Sequence, residues 1–312
     1  MVPEKIDLVY TWVNDKDPAW REKKSKFDSE AFSCDKDANS SYRYFNNDEL
    51  KYSLRSVQKN IPWINKIFII TDNQKPEWLN LNNEKIRVVD HKEILPAEIL
   101  PTYNACTIEN AIPNIKELSE YFIYANDDMF FWNEAAPEFF FDDEKPVYRV
   151  DKRLYPNKKY KHLYGSMVYM AYSLVKERFG VSFPYFSHHN ADAYKKSLFL
   201  ECMEEFKKEA DVTSKNRFRK SNDLQRMIVT YYSLYKKAAV LKKVGICPIK
   251  RFFGLIPDSE YFDMRPSNVN KIANSKAKLM CINDSRKSTD AARTKIKEIL
   301  ETKFPEKSEF EV

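Results

Sequence analysis

The chain has 312 residues, 43% of them hydrophobic and 14% aromatic, enough apolar material for one large or two modest domains and too much for a disordered polymer. Its 52 basic and 46 acidic residues leave a net charge of +6, a slight excess on a mixed surface that does not call for a nucleic-acid partner. Only four glycines are present, so neither a GxGxxG turn nor a Walker loop exists, and any phosphate must be held by side chains, helix ends or a metal ion.

In chain order, KIDLVYTWVND (5–15) reads as a buried strand running into a polar loop that carries Asn14. In NNDELKYSLRSVQKNIPWI (46–64), Leu50, Leu54, Val57 and Ile61 recur at helical spacing, with Asn46 or Asn47 as the cap and a stop before Pro62. KIFIITDN (66–73), KIRVVD (85–90) and YFIYANDDMFF (121–131) read as further strands, the last preceded by a helix kinked at Pro113. Strands that alternate with helices and end in polar turns predict an α/β fold, with a mostly parallel sheet and a ligand crevice at the strands' carboxyl ends. After about residue 150 the pattern changes. Helices are expected over 166–180, 191–210 and 222–238, the first capped by Ser166 and the last by Asn222, and a final one follows in STDAARTKIKEILETKF (288–304). The expected division is residues 1–150 as an α/β core and 151–312 as a mainly helical part packed on it as one catalytic unit.

Five cysteines form no CxxC pair, which argues against a disulfide framework and a cysteine zinc site. No apolar run approaches the ~18–20 residues of a membrane helix, and MVPEKIDLVYTWV lacks the order of a secretory peptide. A cytoplasmic protein is the expectation. Basic clusters at 152–162, 215–220 and 235–243 suit acidic or phosphorylated ligands, although a solvated lysine face explains them as well.

Three constellations carry chemistry. Asn126-Asp127-Asp128 closes an apolar strand, where paired carboxylates suit Mg²⁺ or Mn²⁺ bridging a diphosphate; a plain polar turn is the alternative. His188-His189 offers a general base, one imidazole serving and the other supporting. Arg217 and Arg219, two apart in an extended stretch before a helix start, suit an anion, or else salt bridges to acids such as Asp223. Arg43 and Arg55 flank the acidic turn with Asp48 and Glu49 and carry the same two readings.

IDLVYTWVNDKDP (6–18), RYFNNDELKYSLRSVQKNIPWINKIFIITDNQKPEWLN (43–80), FIYANDDMFF, FPYFSHHNADAYKKS, NRFRKSND, MCINDS (280–285) and FPEKSEFE (304–311) together resemble the Stealth family of sugar-phosphate transferases. Asn46 stands where the family often has an acid, which removes a metal role there; the turn reads HHNADAY where the family often has a nearby proline, which leaves His188 and His189 as alternatives. The resemblance implies a nucleotide-sugar-binding core of the GT-A type. It also implies a nucleotide-sugar donor, a UDP-hexose or UDP-N-acetylhexosamine, with Mg²⁺ or Mn²⁺ on Asp127 and Asp128. The acceptor would be a glycan hydroxyl, the carrier of which can be a lipid, with the enzyme peripheral at the inner face of the membrane. His189 or His188 would deprotonate that hydroxyl, Arg217 and Arg219 would neutralise the transferring phosphate with Asp128 alongside, and Asn14, Arg43, Asp48, Glu49, Arg55, Asn126 and Asp223 would contact substrate. UMP would leave as a phosphodiester formed in capsular polysaccharide. An ordinary metal-dependent glycosyltransferase releasing UDP and a non-catalytic carbohydrate-binding homologue are the alternatives.

Overall fold

A computed structural model describes residues 2–32, 40, 44, 46–154, 163–244 and 257–312. Its principal elements are β1 (Ile6–Thr11), α1 (Pro18–Ser25), α2 (Glu49–Asn60), β2 (Ile67–Thr71), β3 (Ile86–Asp90), α3 (Ala105–Asn110), β4 (Tyr121–Asn126), β5 (Met129–Phe131) and β6 (Lys145–Arg153). They continue with α4 (Leu163–Phe179), β7 (Tyr185–Ser187), β8 (Asp192–Lys195), α5 (Lys196–Glu205), α6 (Lys207–Ser214), α7 (Met227–Tyr235), β9 (Val240–Lys243), β10 (Ser259–Asp263), β11 (Leu279–Asn283) and α8 (Asp290–Lys303).

The central sheet runs β3-β2-β1-β4-β8, parallel except for the edge strand β8, so the fold is α/β with a mostly parallel sheet. Strands β1 and β2 are buried on both faces, which is why they read as continuous apolar runs without alternation. Asp7 is the exception inside β1: its carboxylate accepts from Asn65 Nδ2 (2.7 Å), the Lys66 amide (3.1 Å) and the Ser119 amide (2.7 Å), tying together the loops that lead into β2 and β4. The strand order reverses between β1 and β4, with Thr11 opposite Asn126 in the ladder, and this is where a doubly wound sheet opens a crevice at its carboxyl ends.

Helix α2 covers one face. Leu50, Leu54 and Val57 enter the core, while Ser53 Oγ donates to Met129 O (2.6 Å), the Phe131 amide donates to Ser56 Oγ (3.0 Å) and Asn60 Nδ2 donates to Phe131 O (2.5 Å). Three polar side chains on one face thus fix β5, the strand that follows Asp127-Asp128. The other face of the sheet buries α4, α5 and α7, through Val168, Ala171, Leu198, Ile228 and Tyr231 among others.

The second half departs from the helical expectation at several points. Residues 192–195 extend β4 as an antiparallel edge, and the helix begins only at Lys196. Strands β10 and β11 pair with each other and β11 with β5, so chain after 151 completes sheets begun before it; residue 150 itself lies inside β6. Asn222 lies in a turn and α7 starts at Met227. Helix α4 begins at Leu163, so Ser166 lies inside it, and Gly180 ends it at φ +69°, a conformation favouring glycine. Helix α3 ends at Asn110, ahead of a short 3₁₀ turn through Pro113, because a proline ring cannot continue the ladder. Asp48, neither Asn46 nor Asn47, occupies the cap position of α2, at φ 65° and without a capping hydrogen bond. Thr289 caps α8 by accepting from the Ala292 amide.

Candidate active site

The carboxylate turn sits where β4 leaves the central sheet. Asp128 Oδ2 accepts from Asn283 Nδ2 (3.0 Å) at the end of β11, its backbone carbonyl accepts from the Ile282 amide (2.9 Å), and its Oδ1 is buried without a hydrogen-bond partner. Burial raises both Asp127 and Asp128 above the ordinary carboxylate range, and each is pushed further by a neighbouring acid, Asp128 beside Asp127 and Glu49 beside Asp128. Glu49, 5% exposed, is pushed up to about 8 by burial and then by Asp127, although the Asn47 amide donates to its Oε2 (2.6 Å). Carboxylates crowded this way are relieved either by taking up protons or by a cation. Among the described residues no three His, Cys, Asp or Glu side chains converge on one ion position. A cation on Asp127 and Asp128 would therefore take its remaining ligands from substrate oxygens and water, as Mg²⁺ does at phosphate sites.

The histidines lie on the turn between β7 and β8, not before a helix. The His188 amide donates to Arg149 O on β6 (2.8 Å), and Asn190 Nδ2 donates to Ser259 Oγ at the start of β10 (2.9 Å), so both ends of the turn are tethered. His188 is 8% exposed and near enough to Asp192 to favour that residue's charged form. His189 is half-buried between the rings of Tyr164 and Tyr261, at 5.5 and 5.6 Å between centroids. Tyr261 pairs in register with Cys281 on β11, which pairs with Met129 on β5, and its hydroxyl is pushed up by burial and by Cys281 and Asp128. One tyrosine thus touches the histidine turn and feels the carboxylate turn.

The arginine pair divides. Arg217 Nη1 donates to the Pro101 carbonyl, its Nε lies 3.4 Å from Glu30, and its guanidinium lies 4.0 Å over the Phe27 ring. Arg219, across the intervening buried Phe218, acts instead on Glu109, whose Oε1 receives the Tyr124 hydroxyl at 3.2 Å; that hydroxyl also reaches Asn126 Oδ1 at 2.7 Å. Arg217 therefore belongs with a separate aromatic wall, while Arg219 lies near enough to Glu109 to favour that residue's charged form. Beside that wall a groove of about 330 Å³ is lined by Asp15, Trp20, Arg21, Lys24, Ser25, Asp28 and Tyr44. Asn14, next to Asp15 in the chain, is locked by Gln74, which accepts from the Asn14 amide (3.0 Å) and donates to its carbonyl (2.9 Å).

Other expected contacts lie elsewhere. Arg55 forms a fork on Glu311, two bonds of 2.8 Å, and donates to the Phe304 carbonyl, closing the C-terminal segment onto α2. Asp48 pairs with Lys297 at 2.9 Å. Asp223 is fully buried and accepts from Asn104, Asn216 and the Lys220 amide, which closes the loop that carries both arginines. Arg43 and most of the basic cluster at 152–162 lie outside the described residues. Sequence reasoning missed Tyr261, Asn283, Glu109, Tyr124, Asp192 and Arg226. Asn283, Tyr124 and Asp192 had a signal, their places in MCINDS, FIYANDDMFF and FPYFSHHNADAYKKS.

The architecture and site together are those of an α/β enzyme with acids at the sheet's switch point and a histidine turn docked beside them. Residues 4–30, 43–148 and 188–234 match the Stealth proteins' conserved regions 1, 2 and 3, and the chain belongs to that family. It is 30% identical to an exopolysaccharide phosphotransferase of Lactiplantibacillus plantarum over 99% of this chain and 97% of that one. A capsular polysaccharide phosphotransferase of Haemophilus influenzae is 33% identical over 92% and 80%, and one of Streptococcus pneumoniae is 30% identical over 99% and 98%. Among solved structures, the galactosyltransferase LgtC with donor and acceptor sugar analogues aligns over 95% of this chain and 96% of that one, at TM-score 0.46 and 9% identity, too distant to bear on function.

Proposed function

We propose that this protein is a sugar-phosphate transferase that moves a sugar 1-phosphate from a nucleotide sugar, a UDP-hexose or UDP-N-acetylhexosamine, to a glycan hydroxyl in capsular or extracellular polysaccharide. The observation that carries this reading is the buried pair of carboxylates, Asp127 and Asp128, with Tyr261 packed against His189 and its hydroxyl under the influence of Asp128. Membership of a family with named phosphotransferases supports it.

Asp127 and Asp128 would hold Mg²⁺ or Mn²⁺, which when bound offsets the charge of the donor diphosphate. An imidazole nitrogen of His189 takes the acceptor hydroxyl proton as that oxygen bonds to the β-phosphorus. The bond from the β-phosphorus to the oxygen bridging it to the α-phosphate breaks, and UMP leaves with that oxygen. Arg219, whose charge reaches Glu109, neutralises the equatorial phosphate oxygens. The groove beside Asn14 has the volume and the mixed aromatic and charged lining to take a further part of the substrates. Both halves of the chain act as one catalytic unit, since β8 and β10–β11 complete what β4 and β5 begin.

No helix among the described residues is long and apolar enough to cross a membrane. We place the enzyme where nucleotide sugars are made, in the cytoplasm, and peripheral to the membrane where the growing glycan has a lipid carrier. The test is the nucleotide product: incubation with UDP-sugars, Mg²⁺ or Mn²⁺ and capsular oligosaccharide should release UMP and form a phosphodiester. Release of UDP would instead establish attack at the anomeric carbon. His189→Ala should abolish turnover and leave donor binding intact, because the donor is held elsewhere.

A further inference from the structure

Tyr124 and Asp192 face each other across the β4–β8 ladder, and between them lies Arg226, 3% exposed, at the entry to α7. Its Nη1 donates to Asp192 Oδ2 and to the Tyr194 hydroxyl (2.6 Å), its Nε lies 3.6 Å from Glu109 Oε2, and its guanidinium lies 4.9 Å from the centre of the Tyr124 ring. Three of these four contacts lead to one of the two turns. Asp192 lies beside His188, four residues along the same loop. Glu109 and Tyr124 lead to Asn126 Oδ1, and Thr11 Oγ1 meets the same phenol oxygen at 2.9 Å from the end of β1.

We propose that Arg226 is a positioning residue that sets the separation between the histidine turn and the carboxylate turn, holding Asp192 beside His188 with one edge and Glu109 beneath Tyr124 with the other. The proposal rests on the reading that these two turns face one substrate. A buried cation between two buried acids is an expensive way to fill a core, since apolar groups of the same shape often do as well or better; what it adds is a fixed geometry, because a planar guanidinium meets two carboxylates and a hydroxyl in directions that a single ammonium cannot. Reacting groups displaced by an ångström lose rate steeply, so such a spacer acts on turnover and leaves donor binding alone.

The experiment is Arg226→Lys in the full chain, which keeps the charge and loses the fork. With folding checked by circular dichroism and a cooperative melt, kcat should fall about 100-fold while the donor KM stays within about threefold. Combining Arg226→Lys with Asn126→Ala should cost little more than the worse single variant, since both act through one chain of contacts. A readout independent of turnover separates this idea from the functional reading: the chain has four histidines, and the ring-proton signal of His188, assigned by its loss in His188→Ala, should move in Arg226→Lys. A wild type without turnover would overturn the functional reading, and a moved His188 signal would still support the spacer. Native kcat in folded Arg226→Lys, or an unmoved signal, would overturn it. Should Arg226→Lys fail to fold, Tyr124→Phe removes only the hydroxyl; an approximately tenfold loss in kcat at unchanged KM supports the proposal, and native kcat refutes it.

Discussion

Glu49 offers a test of the site's electrostatics that needs no substrate. Its carboxyl titrates at 4.5 in an ordinary setting and near 8 here, where burial and the neighbouring Asp127 oppose its charge. Because the folded form holds the proton more tightly than the unfolded one, folding takes up a proton between those two values. Stability therefore falls as pH rises from about 4.5 to about 8 and levels off above. The interval, at ~1.36 kcal/mol per pH unit, sets a ceiling of roughly 5 kcal/mol. Relaxation of the turn and residual structure in the unfolded chain should reduce what is observed to ~2 kcal/mol, or a melting shift of about 4 °C in a protein of this size. Glu49→Gln mimics the protonated side chain. In excess chelator it should differ least from the wild type at pH 5.5 and most at pH 9, where it should melt higher, with a flatter profile between. Urea or thermal melts by circular dichroism at four pH values would measure it. A wild type and variant with parallel profiles from pH 5.5 to 9 would refute the claim that the buried acids repel one another. Adding Mn²⁺ at pH 8 should raise the wild-type melting temperature, because a bound cation relieves the crowding that Asp127 imposes on Glu49.

Asp127→Ala and Asp128→Ala should each lower turnover by at least about 100-fold and abolish the Mn²⁺-dependent rise in melting temperature, with a native circular dichroism spectrum; full activity of either in excess chelator would remove the metal from the reaction. Arg219→Lys should lose about 100-fold in kcat and Arg217→Lys less than about fivefold, since the Arg217 guanidinium is occupied by Pro101, Glu30 and Phe27; the opposite ranking in steady-state kinetics would exchange their roles. Arg55→Ala should destabilise the fold by ~2 kcal/mol through loss of the fork on Glu311 and leave kcat unchanged, and a selective loss of kcat in a stably folded variant would return Arg55 to the substrate site.

The strands β1, β2, β3 and β4 were legible as apolar runs ending in Asp or Asn, because a sheet buried on both faces demands branched and aromatic residues and a loop at its carboxyl end demands turn formers. Helices α2 and α8 were legible because their buried stripes repeat at helical spacing. The same local logic singled out Asn126-Asp127-Asp128 and the histidine pair. It failed at residues 192–195, where DAYK runs directly into an amphipathic stretch and local propensity cannot tell a strand from a first helical turn; the free edge of β4 decides the matter by offering a ladder of unpaired backbone groups. For Arg217 and Arg219 it left an anion site and salt bridges open, and the fold settles only Arg217, which lies beside Glu30 while Phe218 between the two stacks on Tyr103. Most of all it was silent on Arg226, Glu109 and Tyr261, three residues separated by up to 152 positions that lie in none of the quoted motifs. Composition and periodicity report what each segment buries, whereas which charges meet across the β4–β8 edge depends on strand order and register, and these exist only once distant segments have packed.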